Sequence, residues 1–288
     1  MGIWMRRIPI RCRLLCRQES AVIYGIMTSD WGREGGTRPV SGGIYMEDRC
    51  CAVLLAAGKG RRMGGEIPKQ YLPLAGKPLL YYSLAALCQS PVITDLVLVI
   101  PEGDEEYVTS HILSLVPEGG EKVRCFVRGG AERYLSVQAG IAAIHWPCDY
   151  VFIHDGARPF LDEPTLERLY AAVKKTGACI AGMPTKDTVK LAGRDGFVER
   201  TPDRSRVWIV QTPQVFSYAL IRDAYARLPI LLPELTERGI HVTDDAMVVE
   251  SITGRKVLLV EASYRNIKVT TPEDIPVSEA LLACRDGK

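Results

Sequence analysis

Glycines and basic residues crowd one short segment of the sequence, L-L-A-A-G-K-G-R-R-M-G-G-E-I-P-K-Q, which covers residues 54–70. Gly58 and Gly60 would let backbone N–H groups approach an anion closely. Lys69 and the arginines of the segment could add charge-assisted hydrogen bonds to the same anion. The spacing matches neither a Walker A motif nor G-x-G-x-x-G. The segment therefore predicts a phosphate site of another kind, with a glycine-rich turn carrying solvated cations as the alternative.

Two later segments also follow apolar runs. Residues 128–137, R-G-G-A-E-R-Y-L-S-V, put two glycines and then Ser136 between a predicted strand and a predicted helix, where backbone donors could meet a phosphate or a nucleobase. In H-D-G-A-R-P-F, at 154–160, Asp155 would be costly to bury unless it is paired or metal-bound, and it suits Mg²⁺ beside phosphate. For residues 128–137 the alternative is a plain strand-to-helix turn. For Asp155 the alternative is a carboxylate that caps the next turn. We expect His154 to be structural, since no other His has metal-ligand spacing to it.

Two further segments carry isolated cations. Arg204 lies in D-R-S-R-V-W-I-V-Q-T-P-Q and Lys268 lies in N-I-K-V-T-T-P-E-D, and each on its own reads as an ordinary solvated side chain. Together with the segments above, they give a set of cations and one carboxylate, without a nucleophile–base pair. That set suits phosphoryl or nucleotidyl transfer, in which catalysis consists mainly of positioning and charge stabilisation.

The elements that must position these residues follow from the order of apolar runs. Apolar strand patterns alternate with helical patterns up to Pro184, which predicts a Rossmann-like, doubly wound and mostly parallel α/β sheet. Ligands bind such sheets beyond the carboxyl ends of the strands, where the charged segments fall. The predicted strands cover 51–57, 95–100, 122–130, 149–156 and 178–184, and the helices cover 78–90, 103–116, 132–146 and 163–177.

The alternation changes after Pro184. Residues 188–211 read as two strands around an Asp-Gly turn, which predicts an inserted β-arm over about 186–210. Such an arm is often an oligomer contact, and a plain surface hairpin is the alternative. The remaining predicted elements are helices at 217–227 and 244–253, a strand at 256–262 and a C-terminal helix at 272–284.

Composition limits the class of protein. The 288 residues carry a net charge of +2 and are 47% hydrophobic, so no global field draws the chain to nucleic acid or to a membrane. No run approaches the ~18 to 20 apolar residues of a membrane span. The nine cysteines form neither a C-x-x-C pair nor a zinc-type set, which favours reduced thiols in the cytoplasm.

The N-terminal extension, residues 1–48, differs from the domain at 49–288. It begins with a basic, partly amphipathic stretch and continues with D-W-G-R-E-G-G-T-R-P-V-S-G-G, which reads as linker. An Arg-rich, acid-poor start is compatible with a targeting segment. A disordered tail, or translation that really begins at Met46, is the interpretation that we favour.

In chain order, several motifs together resemble one known family. They are L-L-A-A-G-K-G-R-R-M-G-G-E-I-P-K-Q-Y, G-G-A-E-R-Y-L-S-V, H-D-G-A-R-P-F, D-T-V-K, D-R-S-R-V-W-I-V-Q-T-P-Q-V-F, V-T-D-D-A-M-V-V-E and N-I-K-V-T-T-P-E-D-I. From about Cys51 to the C-terminal helix, the chain is similar to 2-C-methyl-D-erythritol 4-phosphate cytidylyltransferases. The first motif alone is typical of sugar nucleotidyltransferases in general.

The resemblance implies transfer of CMP from CTP to methylerythritol phosphate, with release of pyrophosphate, in non-mevalonate isoprenoid synthesis. It implies Mg²⁺ on the triphosphate, held by Asp155, and a homodimer whose arm brings Arg204 to the partner's site. It assigns Arg62 and Lys69 to the transition state, and Arg204 and Lys268 to the incoming phosphate. The implied CTP contacts are Ala56, Ala57, Gly58, Gly60, Gly130, Ser136 and Asp155, and the implied contacts to methylerythritol phosphate are Arg158, Thr188, Thr212 and Thr243.

Two departures and two alternatives accompany the resemblance. Gly156 replaces the more usual Ala in H-D-A-A-R-P, a harmless change beside a nucleotide. Ala131 stands where relatives can carry Asp, which puts a ribose or base contact from that side chain in doubt. A ribitol-5-phosphate cytidylyltransferase would share the fold and several motifs, but L-A-A-G and D-R-S-x-x-W speak against it. A non-catalytic nucleotide-binding module would keep the glycines and lose the cations, but all four assigned cations are present: Arg62, Lys69, Arg204 and Lys268. We expect Lys59 and Arg61 to be bystanders on the outer side of the glycine loop.

Overall fold

The computed structural model describes residues 48–58, 60 and 67–285, all within one unit, Met46–Lys288. Its strands are β1 (Cys50–Leu55), β2 (Pro73–Leu74), β3 (Lys77–Pro78), β4 (Asp95–Ile100), β5 (Val123–Arg128), β6 (Tyr150–Asp155), β7 (Ala178–Pro184), β8 (Leu191–Ala192), β9 (Val198–Arg200), β10 (Trp208–Ser217) and β11 (Leu258–Glu261). Its α-helices are α1 (Leu79–Gln89), α2 (Glu105–His111), α3 (Arg133–Ala142), α4 (Glu163–Thr176), α5 (Tyr218–Glu237), α6 (Asp245–Thr253) and α7 (Asp274–Arg285).

A seven-stranded sheet forms the centre of the fold, in the order β11-β7-β10-β6-β1-β4-β5. β1 pairs in parallel with β4 and β6, β4 pairs in parallel with β5, and β7 pairs in parallel with β11. β10 runs antiparallel between β6 and β7. The mostly parallel, doubly wound sheet predicted from the sequence is therefore confirmed.

Both faces of the sheet are covered by helices. Successive side chains of a strand point to opposite faces, and in β1 both sets are apolar. Ala52 and Leu54 join the core cluster that includes residues of α1 and α4. Cys51 and Val53 join the second cluster, with residues of α3, α5 and α6. This double burial explains why the strands are continuously apolar rather than alternating.

The chain after β7 differs in detail from the prediction. The predicted second arm strand ran to residue 211, whereas β8 and β9 form a small separate sheet and β10 already belongs to the central sheet. Residues 211–216 are buried, which an exposed arm cannot provide. Because β10 is antiparallel, its first half lies at the same edge as the carboxyl ends of β6 and β7.

The end of α4 follows a local rule, whereas the length of α5 does not. Gly177 ends α4 with a left-handed φ of 73°, as the sequence predicted for a C-capping glycine. α5 extends well past its predicted end at 227 and contains Pro229 and Pro233. Proline normally interrupts a helix interior, but the buried Leu228 and Leu235 hold the continuing turns against the sheet.

The cysteines of the described part of the chain are free thiols. Burial raises the pKa of Cys50 and of Cys179 to about 12, so both remain protonated at neutral pH. Across the same residues, no helix combines the length and the apolar character needed to cross a membrane.

Helix α3 packs closely on the sheet at Gly140. A Cβ at this position would lie 2.5 Å from Cγ1 of Val53 and 3.2 Å from Cγ2 of Val99. We predict that Gly140→Val lowers the free energy of unfolding by about 1–3 kcal/mol through overpacking. Ala142→Val, at an exposed position of the same helix, should cost less than about 1 kcal/mol. Urea unfolding of both variants tests this, and equal losses would contradict the close approach.

Candidate active site

Asp155 is the centre of the candidate site. It is the last residue of β6, pairs in register with Leu55 at the end of β1, and is only 7% exposed. Lys268 Nζ lies 2.7 Å from its Oδ2, and Arg133 Nε lies 3.3 Å from its Oδ1. Burial by itself would raise the pKa of Asp155, but the charges of Arg133 and Lys268 outweigh it and hold that pKa well below its usual range. The carboxylate is therefore ionised and fixed through both oxygens.

Arg133 links this carboxylate to a second one. Its Nη1 and Nη2 donate to Oδ1 and Oδ2 of Asp245, at 2.9 and 2.8 Å. Asp245 is completely buried and also accepts a hydrogen bond of 2.6 Å from the hydroxyl of Tyr225. Bidentate geometry fixes a guanidinium more tightly than a single contact does. The Nε of Arg133 is thereby aimed at Asp155.

The start of α6 carries Asp245 and is itself held by β10. Gln214 Oε1 accepts the backbone N–H groups of Asp245 and Ala246, at 2.9 and 3.0 Å, and its Nε2 donates to Asp244. Asp244 caps the helix by accepting the N–H of Met247 at 2.9 Å. The free N–H groups of a helix start are thus satisfied, and the helix is tied to the sheet.

A second series of hydrogen bonds fixes the backbone of Asp155. Its backbone N–H donates to Thr212 Oγ1 at 3.1 Å, and that hydroxyl lies 3.0 Å from Nδ1 of His154. His154 Nε2 lies 3.4 Å from the carbonyl oxygen of Arg158. A carbonyl can only accept, so Nε2 carries the proton and Nδ1 accepts from Thr212. Burial lowers the pKa of His154 to about 4, so the ring is neutral and structural, as expected.

The predicted glycines lie beside the same strand ends. Gly60 has a left-handed φ of 57°, and a Cβ there would come within 2.6 Å of Lys69 Cβ, so the glycine segment packs directly on Lys69. The N–H of Gly130 donates to Ser136 Oγ at 3.0 Å. A Cβ at Gly129 would lie 2.1 Å from that of Ala57. Gly60 therefore packs closely on Lys69, and Gly129 packs closely on Ala57 just after β1.

A cavity of about 410 Å³ opens next to Lys268. Arg158, Gln211 and Asn266 also line it, and Arg158 Nη1 donates to the carbonyl oxygen of Asn266 at 2.8 Å. Burial lowers the pKa of Arg158. Its buried Nε has no hydrogen-bond partner among the described residues. An unused donor in a cation-lined cavity suits an anionic, hydroxyl-bearing ligand.

The structure joins some predicted residues and separates others. Asp155, Lys268, Thr212 and Arg158 form one cluster, and Gly130 meets Ser136. Arg204 is exposed and donates to the carbonyl oxygen of Lys186 at 3.2 Å, without a described hydrogen bond or ion pair to the cluster. Arg62, Lys59 and Arg61 lie outside the described residues. Of the other predicted residues, Ala56 is buried, Ala57 and Lys69 are half-buried, and Gly58, Thr188 and Thr243 are exposed.

Sequence reasoning missed the residues that orient Asp155. Arg133 looked like any polar residue at a helix start, and Gln214 looked like part of a strand. Paired acids before a helix, as at Asp244 and Asp245, do indicate an N-cap, but only the fold shows that Asp245 faces Arg133 across 112 positions of sequence. No local pattern encodes such a contact.

The carboxylates of the site are few. Within the described ranges, no group of three or more His, Cys, Asp or Glu side chains could hold a metal ion unaided. Asp155 is the one carboxylate among the predicted site residues. Mg²⁺ is commonly bound through one or two carboxylates together with substrate phosphates, so this donor fits a cation that arrives with a nucleotide.

Comparison with known proteins gives a consistent result. A sequence profile of the 2-C-methyl-D-erythritol 4-phosphate cytidylyltransferase family matches residues 50–284. A cytidylyltransferase of that name from Lachnoclostridium phytofermentans is 43% identical over 235 residues, which cover 82% of this chain and 97% of the relative. One from Pelotomaculum thermopropionicum is 42% identical, over 84% of this chain and 97% of the relative.

Solved structures agree with the sequence relatives. The crystal structure of 4-diphosphocytidyl-2C-methyl-D-erythritol synthase from Anaerococcus prevotii superposes with a TM-score of 0.69 and 32% identity, covering 82% of this chain and 96% of that one. The cytidylyltransferase from Francisella tularensis gives a TM-score of 0.65 at 26% identity, over 81% and 99%. The resemblance inferred from the motifs is thereby confirmed, and the chain belongs to the 2-C-methyl-D-erythritol 4-phosphate cytidylyltransferase family.

Proposed function

We propose that this chain transfers CMP from CTP to 2-C-methyl-D-erythritol 4-phosphate, with release of pyrophosphate, in the non-mevalonate route to isoprenoid precursors. Family membership supports the reaction. The observation that carries the residue assignments is the ionised Asp155, held between Arg133 and Lys268 beside a cation-lined cavity. The attacking group is the substrate's own phosphate, which is already ionised at neutral pH.

The nucleotide would lie over the glycine segments. No described residue lies within 4 Å of the position that a Cβ of Gly58 would occupy, so a triphosphate could approach the backbone there. Gly130 and Ser136, joined by a hydrogen bond, form the wall proposed for the base and ribose. Arg62 and Lys69 would stabilise the charge that builds on the α-phosphate oxygens during attack. Ala56 and Ala57, at the end of β1, complete the proposed CTP surface.

Asp155 would hold the divalent cation, Mg²⁺ by preference for oxygen ligands. When bound, the cation would neutralise charge on the triphosphate. The protein's part is to keep Asp155 ionised and oriented, which Arg133 and Lys268 accomplish through one oxygen each. Lys268 would then reach from this carboxylate into the cavity toward the incoming phosphate.

The substrate phosphate would be positioned by the cavity and by the arm. Arg158 and Lys268 line the cavity, and Thr212 lies behind Asp155. Thr188, Thr243 and Arg204 are the further contacts that the resemblance implies. No general base is required from the protein, since the attacking oxygen carries no proton to remove; this agrees with His154 being buried and neutral.

We propose a homodimer built by the arm and a cytoplasmic location. Phe197 and Val198 are 77% and 60% exposed on the arm, which suits burial against a second copy. Arg204, at the base of the same arm, would then act in the partner's site. The domain would comprise residues 49–288, with residues 1–48 as an extension outside the catalytic unit.

The reaction is tested by CTP-dependent pyrophosphate release. Methylerythritol phosphate should support turnover, whereas ribitol 5-phosphate, the substrate of the alternative enzyme, should not support it comparably. The relatives reported above carry the methylerythritol name, so the alternative is not favoured. Equal or faster turnover of ribitol 5-phosphate would overturn the substrate assignment.

Lys69 provides the first test of the residue roles. We predict that Lys69→Met lowers kcat by about 10²- to 10³-fold, the usual loss when one donor to transition-state charge is removed. The effect on KM for CTP should be much smaller. Lys175→Met, at an exposed position of α4, is the matched control and should keep full activity. An effect confined to KM would assign Lys69 to ground-state binding instead.

Arg133 provides the second test. Arg133→Met should lower the free energy of unfolding by about 3–5 kcal/mol, because Asp245 is left as a buried charge without its cation. Arg133→Met combined with Asp245→Asn should recover much of that loss and still be a poor enzyme, because Asp155 has lost one of its two cations. Chemical unfolding and steady-state kinetics measure the two effects separately. Full activity in the stable double variant would contradict the role of Arg133 toward Asp155.

The arm can be tested by mixing inactive subunits. Arg204→Gln and Lys268→Met should each be inactive alone. If Arg204 serves the partner's site, a mixed dimer has one intact site, and random pairing of co-expressed subunits should restore about one quarter of normal activity. Absence of recovery in purified mixed dimers would show that Arg204 acts within its own chain.

A further inference from the structure

The cavity beside Lys268 has two walls, one at the end of β7 and one in a loop outside the central sheet. The first, here called the β7 wall, comprises residues 184–187, which are the last residue of β7 and the three residues after it. The second, here called the Lys268 loop, comprises residues 263–268, between β11 and α7. Both walls line the cavity. If the polyol phosphate binds there, the distance between the walls determines how well the site fits it.

The base of the Lys268 loop is pinned to β10. Gln211 Nε2 donates to the carbonyl oxygen of Ser263 at 2.9 Å. Asn266 Nδ2 donates to Gln211 Oε1 at 3.1 Å and to the carbonyl oxygen of Thr212 at 2.9 Å. Gln211 and Asn266 are both buried. These contacts fix the bottom of the loop but do not reach the β7 wall.

Tyr264 connects the two walls at the rim. Its hydroxyl donates to the carbonyl oxygen of Pro184 at 2.8 Å, and Lys186 Nζ lies 3.6 Å from the centre of its ring. One side chain of the Lys268 loop thus contacts the β7 wall through a hydrogen bond and a cation–π pair. Tyr264 is 45% exposed, so the hydrophobic core does not explain its placement.

The same wall continues to the arm. The carbonyl oxygen of Lys186 accepts from Arg204 Nη1 at 3.2 Å, and the N–H of Thr185 donates to the carbonyl oxygen of Val207 at 2.9 Å. Tyr264 therefore holds one end of a series of contacts that runs from the Lys268 loop to the base of the arm. Movement of either wall would change the separation of Lys268 from Lys186.

We propose that Tyr264 is a positioning residue for the polyol phosphate: it fixes the width of the cavity by tying the Lys268 loop to the β7 wall. The inference rests on the proposed function, because it assigns this cavity to the second substrate. Tyr264 affects the binding of the polyol phosphate and not that of CTP, because CTP would lie over the glycine segments. Loss of Tyr264 should therefore change KM for methylerythritol phosphate without a comparable change in KM for CTP.

Three variants separate the contacts. Tyr264→Phe removes the hydrogen bond and keeps the ring under Lys186, Lys186→Met removes the cation and keeps the hydroxyl, and Tyr264→Leu removes both. Losing one contact should raise KM for methylerythritol phosphate about threefold, and losing both should raise it about tenfold, with KM for CTP changed less than about twofold. Lys186→Arg, which keeps a cation above the ring, should restore most of the affinity. Thermal unfolding confirms that each variant is folded.

A control variant and the outcomes that would contradict the proposal complete the test. Lys174→Met removes a cation located 4.9 Å from the ring centre of Tyr170 on α4, away from the cavity, and should change neither KM. The inference fails, and the proposed function stands, if Tyr264→Leu still releases pyrophosphate with an unchanged KM for methylerythritol phosphate. An equal rise in both KM values would have the same meaning. No release by the unsubstituted protein with these substrates would overturn the proposed function, and the inference with it.

Discussion

The site depends on keeping one ionised carboxylate at the end of a buried strand. Asp155 has little access to water, and burial disfavours its charged form. Two cations, Arg133 and Lys268, reverse that preference by approaching one oxygen each. The cations come from elements far apart in the chain, so the start of α3, which carries Arg133, and the loop before α7, which carries Lys268, must both pack against the end of β6 for the site to form.

A buried ion network of this kind is weak evidence for stability and better evidence for position. Moving charges out of water is expensive, and well-packed apolar residues often stabilise a fold equally well. What the network does provide is geometry. Asp245 holds Arg133 through two parallel hydrogen bonds, and Gln214 holds the helix start that carries Asp245. Every polar group in this series is satisfied, so the guanidinium has one orientation, which is toward Asp155.

The antiparallel strand β10 is the feature that connects the network to the cavity beside Lys268. Its direction brings Gln211 and Thr212 to the edge where the parallel strands end. Thr212 then supports the backbone of Asp155, and Gln211 supports the loop that carries Lys268. The same strand therefore serves the nucleotide side and the acceptor side of the proposed reaction.

The sequence by itself determined the fold class, the strand ends that carry the candidate site residues, and the family. Continuous apolar runs require burial on both faces, and glycines and cations after those runs leave few uses other than binding phosphate. Asp155 and Lys268 could be singled out for that reason. Only the tertiary structure decided that Lys268 contacts Asp155, that Arg133 is held by Asp245, and that Tyr264 joins two walls of the cavity. These contacts join residues about 80 to 113 positions apart. They depend on the order and direction of strands in the sheet, which local composition and periodicity do not encode.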